Sequence, residues 1–176
     1  MLASYTTWNR QNPQADPAQC GRYRPDFLWD IVDEQRIVIL ECDENAHRRE
    51  TVRCEFVRPM RLALGFGGSP VHMIRYNPDL LACVKTMPER KVREALLLER
   101  TQAALAPSHD GSRFRNILTI EFLYYYDIPG STVTEPYVQT IGFATVVEYE
   151  AWAEAVIAKF EAEKHRAVDR LPVGCR

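Results

Sequence analysis

The spacing of apolar residues changes along the chain, and each change marks an element. Residues 26–31 (Asp-Phe-Leu-Trp-Asp-Ile) are apolar except at their acids, and Ile37 to Leu40 is an apolar, mostly β-branched run that ends abruptly in Glu41, Cys42, Asp43 and Glu44. Apolar runs of about four to eight residues bounded by polar ones predict strands buried on both faces. The polar break between the two runs is centred on Asp33 and Glu34. A hairpin centred there places Asp26 opposite Glu41 and Arg24 opposite Asp43. Asp-Glu is a poor two-residue turn, so a four-residue loop over 32–35 with the same centre fits as well. A slip by one residue would put Asp26 and Glu41 on opposite faces.

After His47 the pattern turns helical. Val52, Phe56, Met60 and Leu64 recur every four residues, Pro59 inside the pattern predicts a kink or a break, and Gly65-Phe66-Gly67-Gly68 ends it. This glycine run follows a helix and lacks the Lys-Ser/Thr of a phosphate loop. Residues 70–76 read as a third strand closed by an Asn77-Pro78-Asp79 turn. Thr86-Met87-Pro88-Glu89 reads as a capping box opening a helix to about Leu105. Residues 116–127 read as a strand, 128–136 as a turn-rich loop, 137–147 as a further strand, and 148–167 as an amphipathic helix with Trp152, Val156 and Phe160 on one stripe. Strands separated by helices predict an α/β fold with one mixed sheet flanked by helices. Residues 1–19, rich in Asn, Gln and Pro, read as an irregular arm before a single domain over 20–176.

Side chains directly opposite in an antiparallel pair have Cβ atoms roughly 4.5–5.5 Å apart. Asp26 and Glu41 would therefore repel, and a divalent cation or a shared proton is what holds such a pair together. Alternation puts Asp43 on the face of Glu41. The solvated or Arg-paired strand end is the plainer alternative for these acids.

Arg-Pro-Asp at one strand start (Arg24, Pro25, Asp26) and Glu-x-Asp at the end of the next (Glu41, Asp43) resemble the PD-(D/E)XK nuclease superfamily. The longer string, Cys20, Arg24-Pro25-Asp26-Phe27, Glu41-x-Asp43-Glu44-Asn45-x-His47, Cys54-Glu55 and Ile74-Arg75-Tyr76-Asn77-Pro78-Asp79, is similar to a nuclease-like group of large DNA viruses and eukaryotic microbes and to very-short-patch-repair-type endonucleases. The resemblance implies a restriction-endonuclease-like fold and metal-dependent hydrolysis of DNA phosphodiesters. It implies Mg²⁺ or Mn²⁺ held by Asp26, Glu41, the carbonyl of Cys42 and Asp43, with Asp26, Glu41, Asp43 and His47 as the catalytic set. The superfamily's third motif residue is usually Lys, and Asp43 stands there. His47, with its near-neutral pKa, is the candidate for the proton-transfer role. Arg24, Arg48, Arg49, Arg53, Arg75 and Asn77 are the candidate nucleic-acid contacts; for the arginines of 48–61 the alternative is a solvated helix face balanced by nearby acids. The missing Lys also admits a second reading, a catalytically silent module of the same fold that binds nucleic acid or protein. Cys20, His47 and Cys54 admit a third, a zinc-stabilised interaction domain.

Composition narrows this only a little. The chain has 176 residues, 46% hydrophobic and 26% charged, with a formal net charge of −2. That suits one globular domain and shows no overall basic excess, so DNA contact would rest on a local patch. Five scattered cysteines with no secretory signal before them read as free thiols in a reducing, intracellular setting, nuclear or cytoplasmic. No apolar run approaches the roughly 20 residues of a membrane span. Cutting both strands would need a homodimer or two events, and no dimer seam is visible in the sequence.

Overall fold

The structure, a computed structural model, describes residues 25–43, 52–79, 87–107, 115–125 and 128–169. The arm at 1–19 and Arg24, His47, Arg48 and Arg49 lie outside the described residues. The chain runs β1 (Phe27–Ile31), a one-turn 3₁₀ segment (Val32–Glu34), β2 (Arg36–Cys42), α1 (Val52–Leu64), β3 (Val71–Tyr76), α2 (Arg90–Leu105), β4 (Leu118–Leu123), β5 (Thr132–Glu135), β6 (Val138–Phe143) and α3 (Val146–Asp169). The six strands form one mixed sheet in the order β1-β2-β3-β4-β6-β5. β2, β3 and β4 are parallel neighbours, while β1 pairs antiparallel with β2, and β6 with both β4 and β5. An α/β fold with a mixed sheet flanked by helices is therefore what the chain adopts.

The hairpin has the expected centre. Phe27 pairs with Leu40 and Ile31 with Arg36, and the four-residue connection closes with Gln35 in the left-handed region at φ 49°, its N–H donating to the Val32 carbonyl. In this register the next pair outward is Asp26 with Glu41.

Alternation splits the core into two layers. Ile37, Ile39, Val71, Met73, Leu118, Ile120 and Phe122 meet Phe56 and Met60 of α1 and Tyr149, Ala153 and Val156 of α3. Val38, Leu40, Ile74, Tyr76 and Leu123 meet α2 through Ala104, Leu96 and Leu97 on the other face. Two same-handed crossovers between β2, β3 and β4 would lie on one face. Since α1 and α2 lie on opposite faces, the two crossovers differ in hand, and one departs from the usual right-handed rule.

Five sequence expectations are corrected. Pro59 does not divide α1, which runs unbroken from Val52 to Leu64. The capping box before α2 does not form: Glu89 is the N-cap and makes no side-chain cap bond. The loop over 128–136 contains the edge strand β5, and the strand expected to reach 147 ends at Phe143. There Thr145 and Glu148 cap α3 instead. The Glu148 N–H donates to Thr145 Oγ1 at 3.2 Å, and Glu148 Oε2 accepts from the Ala144 N–H at 2.9 Å. Finally, Cys54 is disulfide-bonded whereas Cys42 is a free thiol, so the reading of free thiols fails at Cys54. A sulfur in a disulfide offers no thiolate, which removes Cys54 from the zinc reading.

Candidate functional site

The carboxyl ends of β2 and β3 bring a group of charged side chains together on the α1 face. In open α/β sheets this end of parallel strands is where ligands bind. Glu41 and Asp43 continue the row begun by Ile37 and Ile39. Arg75 is level with Glu41 on β3, and Phe122 is level with Arg75 on β4. From above, α1 adds Glu55 and Arg58, three residues apart and so neighbours on one helix face. Glu41, Asp43, Glu55, Arg58 and Arg75 line one pocket, floored by Met73 and roofed by Pro59 and Leu62.

Two of these acids are buried, Glu41 at 4% and Asp43 at 1% exposure. Buried carboxylates need partners, and both have them. Arg58 Nη2 donates to both oxygens of Glu41, at 3.0 and 3.2 Å. Arg75 Nε donates to Asp43 Oδ2 at 2.8 Å, and the Tyr125 hydroxyl donates to the same oxygen. The rest of the Arg75 guanidinium holds α1: one nitrogen donates to the Glu55 carboxylate, the other to the Glu55 carbonyl at 3.4 Å. The guanidinium also lies 5.9 Å from the ring centroid of Phe122 and 5.8 Å from that of Tyr125. Asp26 is exposed, and its Oδ2 accepts from the Cys42 N–H at 2.8 Å. That bond ties the start of β1 to the end of β2 and brings the two acids together as the register requires.

The electrostatics are those of an acidic site short of positive charge. Asp26, Glu41, Asp43 and Glu55 carry four negative charges when ionised, and Arg58 and Arg75 carry two positive ones, leaving −2 among these described residues. Burial pushes the Glu41 carboxyl up to about 7; Arg58 and Arg75 pull it down, while Asp26 and Asp43 push it further up. Burial works against the charge on Arg75, but Asp43 and Glu55 hold its pKa above the ordinary arginine value. All-oxygen donors with excess negative charge are the chemistry of a hard divalent cation. As placed, no three His, Cys, Asp or Glu side chains among the described residues converge on one point. The donor set fits Mg²⁺ or Mn²⁺ in kind and charge, with Arg58 standing on Glu41.

Among the proposed nucleic-acid contacts, Arg75 and Asn77 are buried, at 5% and 2% exposure. Asn77 shapes the turn after β3: its Nδ2 donates to the Tyr124 carbonyl at 3.3 Å, and its Oδ1 accepts from the Asp79 N–H at 3.0 Å. Both residues build the site from behind and present no surface to a phosphate. Arg53 is exposed and pairs with Glu154 of α3 at 3.0 Å. Sequence reasoning did not place Glu55, Arg58 and Tyr125 in the site. The i,i+3 spacing of Glu55 and Arg58 was the available signal for two of them.

On the other sheet face a third buried acid, Glu121, is engaged by two partners. Glu121 accepts from Arg100 Nε and Nη2 at 2.8 and 2.9 Å and meets His72 Nε2 at 2.9 Å, and Arg100 Nη1 reaches Glu135 at 2.8 Å. Burial raises the Glu121 pKa, but the bonds from His72 and Arg100 outweigh it and bring the pKa down to about 2. No helix among the described residues is long and apolar enough to cross a membrane. Comparison of the chain with protein-family models, with curated proteins and with solved structures finds no match to any of them.

Proposed function

We propose that this chain is a metal-dependent endonuclease that hydrolyses DNA phosphodiester bonds, with a restriction-endonuclease-like fold. The observation that carries the reading is the nearness of Asp26 and Asp43 to Glu41 at the carboxyl end of β2, where both push the Glu41 pKa up, with a net negative charge that two arginines leave unbalanced. Asp26, Glu41, the Cys42 carbonyl and Asp43 would hold Mg²⁺ or Mn²⁺. Such an ion, when bound, lowers the pKa of a water and offsets charge on the attacked phosphate. In this reading Asp43 is aimed by Arg75 and Tyr125, which act as positioning residues. His47 transfers the proton, and Arg24, Arg48, Arg49 and Arg53 hold the phosphates of the strand. A homodimer is one way to cut both strands.

The test is cleavage of plasmid, single-stranded, branched and mismatched DNA with Mg²⁺, with Mn²⁺ and with EDTA. Cleavage that needs metal and is abolished by both Asp26→Asn and Glu41→Gln supports the reading. A lack of cleavage, with DNA binding unaltered in both variants, overturns it.

A second reading has its own observation. The position that usually carries Lys is occupied by Asp43, whose carboxylate is bonded to Arg75 and Tyr125. A silent module that binds nucleic acid or protein would use such a bond simply to hold the strand end. It predicts no change in Mn²⁺ affinity on Glu41→Gln.

A further inference from the structure

Two tyrosines sit where the backbone resists a side chain. Tyr124 has φ 62° and Tyr137 φ 68°, and Gln35 is the only other non-glycine with positive φ among the described residues. A bulky residue in the left-handed region is strained and needs a reason. Tyr124 has one in the site already described. Phe122 faces the α1 layer and Leu123 the α2 layer, but Tyr124 packs with Leu123 on the α2 side and Tyr125 returns to the α1 side. The left-handed backbone at Tyr124 breaks the alternation and so delivers Tyr125 to Asp43.

No such role accounts for Tyr137. It follows Pro136 in the two-residue connection between β5 and β6. Proline before a positive φ is the pattern of a type II turn, where glycine is the usual second residue. The Tyr137 carbonyl accepts from the Tyr124 N–H at 2.9 Å, but a glycine carbonyl would do the same without the strain. What the tyrosine adds is a ring, 42% exposed and stacked on Tyr124 with centroids 5.2 Å apart and planes at 24°. Tyr124 is 2% exposed and meets Tyr76 edge-on. Tyr137 is thus the outer member of an aromatic column anchored in the core.

The column stands at the same edge of the sheet as the acids. Asp43, Asn77 and Tyr124 each donate a backbone N–H to the end of the next strand, at Tyr76, Leu123 and Tyr137. These residues form one row across β2, β3, β4 and β6. Three strand spacings put Asp43 and Tyr137 roughly 14 Å apart along that row. Beside Tyr76 and Tyr124 lies Arg93, 5% exposed, whose Nη1 donates to the Pro78 carbonyl and whose buried Nε has no hydrogen-bond partner. Its positive charge at this end of the sheet suits a polyanion.

We propose that Tyr137 is a stacking platform for an unpaired base of a single-stranded nucleic acid. The base extends the Tyr124–Tyr137 column on its open side, and the strand crosses the sheet edge towards Glu41 and Asp43. Every base has a face that can stack on an aromatic ring, so the platform is tolerant of sequence. The occupant rests on the nucleic-acid reading above, to which the platform adds a substrate class.

The experiment measures binding of a fluorescein-labelled oligodeoxythymidylate, and of a duplex, by anisotropy in EDTA, so that neither metal nor cleavage enters. It uses the full chain as wild type, Tyr137→Gly, Tyr137→Asn and Tyr137→Phe, with a urea unfolding curve for each. Glycine and asparagine both suit a left-handed position, so a second ringless variant serves if one fails to fold. Both should unfold at the wild-type midpoint or above it. Both should bind the oligonucleotide about tenfold more weakly, within the range of one base stacked on an aromatic ring. Tyr137→Phe keeps the ring and should bind about as tightly as the wild type. Wild-type affinity in the ringless variants overturns the platform and leaves the exposed ring to a protein partner or to the fold. A fall in unfolding midpoint alongside the loss of affinity assigns the ring to the fold and overturns it too. Equal weakening in Tyr137→Phe assigns the contact to the hydroxyl and overturns stacking. A wild type that binds duplex but not the oligonucleotide overturns the platform while the nucleic-acid reading stands; binding of neither brings down both.

Discussion

Arg75 donates to the backbone carbonyl of Glu55 at 3.4 Å, the carbonyl that would accept from residue 59 in an unbroken helical ladder. Residue 59 is proline and has no N–H to give. An arginine from the sheet thus serves a carbonyl that the helix itself leaves open, and α1 stays continuous across its proline. The same guanidinium holds the Glu55 and Asp43 carboxylates, so one side chain joins β2, β3 and α1.

Removing Arg75 should therefore be costly in a way that depends on geometry as well as charge. Arg75→Met leaves two acids and a carbonyl at this junction without their donor, an expected loss of about 3–5 kcal/mol. Arg75→Lys keeps the charge but cannot span the three acceptors, and should lose about 1–3 kcal/mol. Urea unfolding checks both, read as a lower midpoint at unchanged slope. A lysine variant as stable as wild type would show that charge alone matters there.

This junction also marks how far the sequence could be read. The hairpin register was legible because Ile37 to Leu40 and the Asp33-Glu34 break fix a centre, and Asp26 falls opposite Glu41 as a result. The inward acids were legible too, since alternation from Ile37 and Ile39 leads to Glu41 and Asp43. Glu55 and Arg58 were not, because an amphipathic pattern assigns charges to solvent, and only the acids on the sheet below turn that helix face inward. The strand expected over 116–127 includes Tyr125, whereas β4 stops at Leu123 and frees the ring to reach Asp43. β5 is a four-residue edge strand with three exposed residues, and its flanking Gly and Pro residues read as loop. At 144–147 a β-branched run concealed the Thr145–Glu148 cap, where a local side-chain bond outweighs strand propensity.

The pKa of Glu41 makes a pH prediction of definite sign. Its folded value is about 7 against an ordinary 4.5. A raised carboxyl pKa means that folding favours the protonated form. Its contribution is intact below about pH 4.5 and is lost as pH rises through 7. Glu41→Gln, which cannot ionise, should thus match the wild type near pH 4 and exceed it near pH 8, by on the order of 2–3 kcal/mol. Unfolding midpoints at the two pH values measure this directly. A constant difference between variant and wild type at both would show that ionisation of Glu41 is not what the fold resists.

Glu121 behaves in the opposite sense. Burial alone would raise its pKa, but His72 and Arg100 bring it to about 2. A depressed carboxyl pKa contributes stability above the unfolded value near 4.5, and that stability is lost as pH falls towards 2. Glu121→Gln should cost on the order of 2–3 kcal/mol at pH 7 and much less near pH 2. The measurement is the same pair of unfolding curves at acid and neutral pH. Equal losses at both would assign the effect to packing.

Arg53 separates stability from binding. Its pair with Glu154 joins α1 to α3 at 3.0 Å, but the two side chains are 57% and 59% exposed. An ion pair so open to water contributes only about 0–1 kcal/mol, because solvent screens it and ordering two long side chains offsets the attraction. Arg53→Ala should therefore leave the unfolding midpoint nearly unchanged. If Arg53 also meets a phosphate in the nucleic-acid complex, its loss weakens duplex binding and lowers the dependence of log affinity on log salt concentration by about one. Glu154→Ala gives the control: it breaks the same pair, frees Arg53, and should leave the salt slope as it was or steepen it. Equal slopes in wild type and Arg53→Ala would confine Arg53 to the α1–α3 surface and leave the phosphate contacts to other residues.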